Sequence, residues 1–144
     1  MTDEVPIPLR IRRELIAAAR AAAPREMVGL LGSRYGGCVT DFVPLPNVAA
    51  GRDRFAVDAI AFAAAVQQLE ASGASFLGFA HSHPDGPTGL SATDRRELWR
   101  DCVQLVCGLG DEQIRAFRLS RETVRELAIV AASDPRFGTA GAAR

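Results

Sequence analysis

The sequence contains no lysine and has no net charge. All 17 basic residues are arginines, and 17 aspartates and glutamates balance them. Nucleic-acid-binding domains usually carry an excess of basic residues. The composition therefore gives no support for a nucleic-acid partner. The chain also offers no lysine side chain as an acceptor for isopeptide tagging.

Cysteines are few, and long apolar runs are missing. Cys38, Cys102 and Cys107 form no CxxC pair, which favours a reducing compartment over a disulfide framework. The longest apolar run, Ala59 to Val66, is far shorter than the roughly 20 residues of a membrane span. The first residues, MTDEVP, are acidic and lack the basic-then-apolar order of a signal peptide. We therefore expect a soluble, cytoplasmic protein with no membrane partner.

The length of 144 residues is that of one ordinary domain with its own core. Hydrophobic residues make up 48% and charged residues 24%, which is typical of a globular chain and argues against disorder. Pro135, Gly138 and Gly141 fall within the last twelve residues. We expect a domain over residues 1–132 and a disordered tail over residues 133–144.

Hydrophobic periodicity and breaker residues predict an alternation of helices and strands. Helices are predicted over residues 9–23, 57–71 and 91–100, and strands over 27–31, 38–45, 75–80, 102–106 and 113–119. The first two strands flank Gly36-Gly37 and read as a hairpin, whereas 123–131 fits either a strand or a helix. The pattern indicates an α/β domain in which helices cover a central mixed sheet.

The only two histidines of the chain, His81 and His83, follow a buried apolar run and precede Pro84. On a strand, residues two apart face the same way, so both imidazoles leave one face and can converge on one ion. The competing interpretation is ordinary: polar residues at a strand end, or a hydrogen-bonded core histidine.

The segment Ser91-Ala-Thr-Asp94 resembles a capping box, in which Ser91 begins a helix and Asp94 complements its dipole. That reading explains the local sequence completely. The loop after Pro84 can also bring Asp94 to the two histidines. Two histidines, one aspartate and an open position form a catalytic zinc site, whereas a structural zinc normally has four protein ligands.

Such a site needs a general base, and Glu26 is the candidate. It stands at the entry of an apolar strand, where a carboxylate has no packing role. A solvated strand end is the alternative reading of Glu26.

Together these residues carry a resemblance to a known family. His81-Ser-His83-Pro84, six residues and Ser91-x-x-Asp94 resemble the JAMM motif of the MPN+ (Mov34/MPN/PAD-1) zinc metalloproteases, over roughly residues 8–120. The segments 24–32, 44–47 and 55–58 are similar to further landmarks of that family, although Leu90 stands where many members have proline. The resemblance implies a curved mixed sheet flanked by helices, an α/β (α+β) fold similar to that of cytidine deaminases.

The resemblance also implies roles for five residues. His81, His83 and Asp94 would bind one Zn²⁺ per chain, Glu26 would be the general base and proton shuttle, and Ser91 would hydrogen-bond the scissile carbonyl or its oxyanion. The chain lacks the long insertions of eukaryotic deubiquitinating members. Its compactness is similar to that of bacterial members such as CysO-cysteine peptidases, which implies hydrolysis of an amide after the C-terminal Gly-Gly of a ubiquitin-like or sulfur-carrier protein.

Two alternatives remain at this point. One is a zinc hydrolase of a small-molecule amide on the deaminase-like scaffold, although the P-C-x-x-C signature of deaminases is absent from the sequence. The other is a non-catalytic MPN scaffold, although such members typically lose ligands of the motif. The sequence does not identify the substrate protein, the oligomeric state or the role of the cysteines.

Overall fold

The structure is a computed structural model that describes residues 3–86 and 88–133. Within these residues the elements follow in the order β1 (Glu4–Pro8), α1 (Leu9–Ala22), β2 (Val28–Ser33), β3 (Asp41–Leu45), α2 (Ala59–Ala71), β4 (Ser75–His83), α3 (Ala92–Glu97), β5 (Val103–Gly108), β6 (Gln113–Leu119) and β7 (Val124–Ala132). The predicted tail lies, from residue 134 onward, outside the described residues. No helix in the described part of the chain is both long and apolar enough to cross a membrane.

All seven strands form one mixed sheet in the order β1-β7-β6-β5-β4-β2-β3. The pairs β1–β7 and β4–β5 are parallel, and the other neighbours are antiparallel. The N–H of Val39, just before β3, donates to the carbonyl of Pro6 in β1 at 2.9 Å. The two edges of the sheet therefore approach each other, and the sheet is curled as predicted.

The helices α1 and α2 cover opposite faces of this sheet. The neighbouring residues Leu30 and Leu31 of β2 are both fully buried and point to opposite sides. Leu31 packs with Ile11 and Leu15 of α1, whereas Leu30 packs with Leu69 of α2. The strands β2 and β5 in the middle of the sheet are thus buried on both faces, which matches the predicted layering of helices over a central sheet.

Two departures from the predicted elements have physical causes. The strand β1 was not predicted because it contains Pro6 and Pro8, which an edge strand tolerates. The third helix ends at Glu97 rather than at residue 100. Leu98 turns into the core there, and the carbonyl of Trp99 accepts a hydrogen bond from the buried Gln104 side chain. The ambiguous segment 123–131 is the strand β7.

Strand β4 lies in the middle of the sheet, between β2 and β5. A Cβ at Gly78 would lie 1.9 Å from the carbonyl oxygen of Val103, so only glycine allows β4 to approach β5 this closely. Both histidines occupy the last three residues of β4. They are consequently held by two neighbouring strands rather than by a loop.

Candidate metal centre

The two histidines point to the same side of β4, as their spacing predicts. The His81 side chain is fully buried and that of His83 is 11% exposed. Their Nε2 atoms lie 3.3 Å apart. Two imidazoles this close, with both Nε2 atoms directed to one point, can share a cation.

Asp94 completes the group from the first turn of α3. The Ser91 hydroxyl accepts the N–H of Asp94 at 3.0 Å, and the N–H of Ser91 donates to Asp94 Oδ2 at 3.1 Å, so the predicted capping box is present. The same Oδ2 lies 3.2 Å from His81 Nε2 and 3.0 Å from His83 Nε2. The capping box therefore holds the carboxylate of Asp94 against both imidazole rings. The same hydrogen bonds that begin α3 also place the candidate ligand oxygen.

The triangle of these three atoms fits a tetrahedral zinc ion. Its sides measure 3.3, 3.2 and 3.0 Å. Ligands at the usual zinc distances of about 2.0–2.2 Å are about 3.3–3.6 Å apart in a tetrahedron. The three atoms are thus within a few tenths of an ångström of one tetrahedral face, and two nitrogens with one oxygen are ligands that zinc accepts.

Asp94 is held in its anionic form. Burial acts to raise the pKa of its carboxyl, but hydrogen bonds from His81 and His83 and from the N–H of Ser91 outweigh burial and hold the pKa well below its usual range. The group therefore offers a cation one full negative charge beside two imidazole nitrogens.

Glu26 lies at the entrance of β2, beside this group. The register that pairs Val28 with His81 continues to place Glu26 opposite His83. Glu26 is only 5% exposed, and its Oε1 has no hydrogen-bond partner among the described residues. Burial raises the pKa of Glu26 to about 7, because the effect of burial is larger than the opposing effect of the nearby His83. A buried carboxyl that titrates near neutrality can both accept and return a proton.

The raised pKa of Glu26 predicts a pH-dependent stability in the metal-free protein. The pKa of Glu26 is about 7 in the folded protein, above its ordinary value of 4.5. The protonated carboxyl group therefore contributes to the free energy of unfolding in full below pH 4.5, and this contribution is lost as the pH rises through 7. We expect the free energy of unfolding to fall between these pH values by on the order of 2 kcal/mol more in the wild type than in Glu26→Gln.

Urea denaturation in the presence of a chelator measures this difference. The exposed Glu70 on α2 provides the control variant, Glu70→Gln, which should follow the wild type. If the free energy of unfolding depends on pH equally in the wild type and in Glu26→Gln, burial does not raise the pKa of Glu26.

The centre is open on two sides. One cleft, of about 300 Å³, is lined by Glu26, Asp94 and a set of aromatic rings, Phe55, Phe62, Phe79 and Trp99. A second, of about 370 Å³, is lined by Glu26, His83, Ser91 and the loop glycines Gly86 and Gly89. Glu26 borders both clefts, so a substrate can extend from the centre in two directions.

Two residues beside the centre have roles that the sequence did not reveal. The Phe55 ring lies 5.0 Å from the His81 ring, centroid to centroid. The Asn47 side chain accepts the N–H groups of Ala49 and Ala56 and donates to the carbonyl oxygens of Glu26 and Arg54. Asn47 therefore joins the loop that carries Phe55 to the backbone of Glu26. Asn after Pro46 is a turn signal, but its distant partners depend on the fold.

The cysteines take no part in this centre. All three are buried, and none is in a disulfide. Burial raises the pKa of Cys107 to about 12 and that of Cys102 to about 11, so both thiols stay protonated.

Comparisons with known proteins agree with the geometry. Residues 8–120 match the family described as prokaryotic homologs of the JAB domain. The chain is similar to a desampylase of Haloferax volcanii, with 33% identity over 125 residues that cover 82% of this chain and 89% of the relative. It is also similar to a probable TtuB-protein conjugate cleaving protease of Thermus thermophilus, with 38% identity over 77% of this chain and 76% of the relative.

The fold is that of JAB1/MPN domains. A JAB1/MPN domain protein from Archaeoglobus fulgidus superposes with a TM-score of 0.59 and 18% identity, and the match covers 88% of this chain and 98% of that one. At this identity the likeness shows the fold alone. The curled sheet with helices on both faces, predicted from the sequence, is confirmed.

Proposed function

The chain belongs to the family of prokaryotic homologs of the JAB domain, and on that premise we propose that it is a zinc-dependent isopeptidase or peptidase. It hydrolyses an amide bond after the C-terminal Gly-Gly of a ubiquitin-like or sulfur-carrier protein. The names of the two relatives support this substrate class. The observation that carries the proposal is the tetrahedral face of three ligand atoms beside a buried carboxylate oxygen of Glu26 that has no hydrogen-bond partner within residues 3–86 and 88–133.

His81, His83 and Asp94 would hold one zinc ion per chain. Zinc bound at this position would supply a Lewis acid for the scissile carbonyl and would lower the pKa of water toward neutrality. The anionic Asp94 and the short distances between the ligand atoms favour binding of a dication. The choice of zinc over other divalent ions is part of the proposal: two histidines, one carboxylate and an open position suit a catalytic zinc, and the same ligands also accept other transition-metal dications.

Glu26 and Ser91 perform the proton transfer and the charge stabilisation. Glu26 takes a proton from the attacking water and later gives it to the leaving amine. In the metal-free protein, burial already raises the pKa of this carboxyl to about 7. The Ser91 oxygen accepts the N–H of Asp94, so its own O–H proton remains available to the carbonyl oxygen of the substrate. A donor placed where negative charge develops stabilises the transition state.

The clefts favour an extended peptide tail over a compact ligand. Gly86 and Gly89 line the cleft next to His83 and Ser91, where the lack of side chains lets a Gly-Gly tail come close to the centre. The cytoplasmic location belongs to the same proposal, and the three separate thiols are compatible with a reducing compartment.

Cleavage of a defined conjugate tests this function. The substrate is a ubiquitin-fold carrier joined through its C-terminal Gly-Gly to a target lysine, and the products are identified by mass spectrometry. We expect the zinc-loaded protein to release the intact carrier and a chelator to stop the release. A carrier ending in Ala-Ala is the matched control and should be cleaved much more slowly. Cleavage of short amides alone would favour the small-molecule alternative, and zinc binding without any cleavage would favour the scaffold.

Ser91→Ala separates the capping role of Ser91 from its catalytic role. Loss of the cap should lower the free energy of unfolding by about 0.5–2 kcal/mol. Loss of the oxyanion donor should lower kcat by about 10²–10³. Ser91→Gly is the matched control, because glycine at an N-cap costs only a few tenths of a kcal/mol. Ser91→Gly should show the same decrease in kcat as Ser91→Ala, with a free energy of unfolding close to that of the wild type. A wild-type kcat in Ser91→Gly would restrict Ser91 to capping.

A further inference from the structure

Ser82 stands between the two histidines but faces away from the metal centre. Successive side chains on a strand point to opposite faces, so Ser82 lies on the α1 side of β4. It is fully buried. Nothing in the chemistry described above uses its hydroxyl group.

The hydroxyl group of Ser82 replaces a backbone acceptor at the end of the β2–β4 pairing. The N–H of Ser82 donates to the carbonyl of Met27 at 3.0 Å. In a regular antiparallel pair, the N–H of Met27 would donate a second hydrogen bond to the carbonyl of Ser82. Here the N–H of Met27 donates instead to Ser82 Oγ, at 2.7 Å.

A second side chain holds the other end of the same peptide group. The Nδ2 of Asn47 donates to the carbonyl of Glu26 at 2.9 Å. The carbonyl of Glu26 and the N–H of Met27 belong to one planar peptide unit. Asn47 and Ser82 therefore bond to both polar atoms of the unit that directly follows the Cα of Glu26.

The carboxyl group of Glu26 depends on its backbone for its position, because its Oε1 has no hydrogen-bond partner among the described residues. A catalytic group displaced by about 1 Å can lose about 10²-fold in rate. We propose that Ser82 and Asn47 are positioning residues that clamp the Glu26–Met27 peptide group and thereby aim the carboxylate of Glu26 at the metal centre. The inference rests on the proposed role of Glu26 as the base.

Kinetics of Ser82→Ala and Ser82→Thr test the clamp. Ser82→Ala should lower kcat by about 10- to 100-fold, leave KM within about twofold and keep one zinc per chain. Ser82→Thr retains the hydroxyl and should recover most of kcat. In a Glu26→Gln background, measured under single-turnover conditions, Ser82→Ala should change the rate by less than about twofold, because the two substitutions act through one group. Equal loss in both backgrounds would overturn the clamp.

Amide hydrogen exchange at Met27 tests the clamp without substrate. The N–H of Met27 should exchange at least about tenfold faster in Ser82→Ala than in the wild type, while the amides of β5 keep their protection. Unchanged exchange at Met27 would overturn the clamp even if the protein cleaved no conjugate. Failure of the proposed function would appear instead as an inactive wild type with a protected Met27 amide. If Ser82→Ala does not fold, Asn47→Asp, which removes the donor to the carbonyl of Glu26 and keeps an acceptor, takes its place in the kinetic measurement, because it leaves the bond from the N–H of Met27 to Ser82 Oγ intact.

Discussion

Glu26→Gln is expected to keep its fold and its zinc while it loses nearly all hydrolysis. Glutamine preserves the shape of the side chain but cannot take a proton from water. Removal of a general base lowers rates by about 10²–10⁴, and in the proposed mechanism Glu26 serves both proton transfers, so we expect the upper end of this range. The burial of Glu26 and its raised pKa are the structural grounds for the expectation.

Three measurements on the same preparation separate catalysis from structure: zinc content, melting temperature and kcat. Glu70→Gln, on the exposed face of α2, is the matched control and should match the wild type in all three. Cleavage by Glu26→Gln at a near wild-type rate would mean that Glu26 is only a residue at a strand entrance. The base would then have to be another group along the two clefts.

Substitution of any ligand should abolish zinc binding and activity together. His81→Ala, His83→Ala and Asp94→Ala each remove one corner of the triangle of ligand atoms. Two remaining ligands cannot complete the three-ligand site that catalytic zinc requires. Elemental analysis of the purified variants measures the loss. Wild-type zinc content in all three variants would show that the metal, if bound, lies elsewhere.

The metal-free protein should nevertheless stay folded. Apolar side chains on both faces of the sheet form a core that does not depend on the metal. Circular dichroism during chelation should show little change, whereas a cooperative loss of signal would contradict this expectation. Asp94→Ala should be the least stable of the three variants, because Asp94 also takes part in the capping box of α3.

Local patterns predicted most of the fold and of the candidate site. The spacing of His81 and His83 and the capping motif at Ser91 are short-range signals, and they lead to the centre that the structure describes. Strand β1 was missed because prolines mask an edge strand whose partner, β7, is more than a hundred residues away. Long-range pairing of this kind leaves no periodic signal in a strand of five residues.

The hydrogen bonds that hold the backbone of Glu26 could not be predicted from local patterns. In the sequence, Asn47 is a turn residue and Ser82 is a spacer between two histidines. Their contacts to the Glu26–Met27 peptide group span 21 and 55 residues and exist only once β2 and β4 have paired. Phe55 comes to lie beside His81 in the same way, through the loop that Asn47 fixes.

Hydrolysis in oxygen-18 water tests the central claim most directly. The zinc-loaded protein is incubated with the carrier–lysine conjugate in labelled water, and the released carrier is weighed by intact mass spectrometry. We predict a released carrier that has gained one oxygen-18 atom in its C-terminal carboxylate, at a rate that a chelator and Glu26→Gln both suppress. An intact conjugate in the presence of zinc-loaded wild-type protein, or a released carrier without the label, would contradict it.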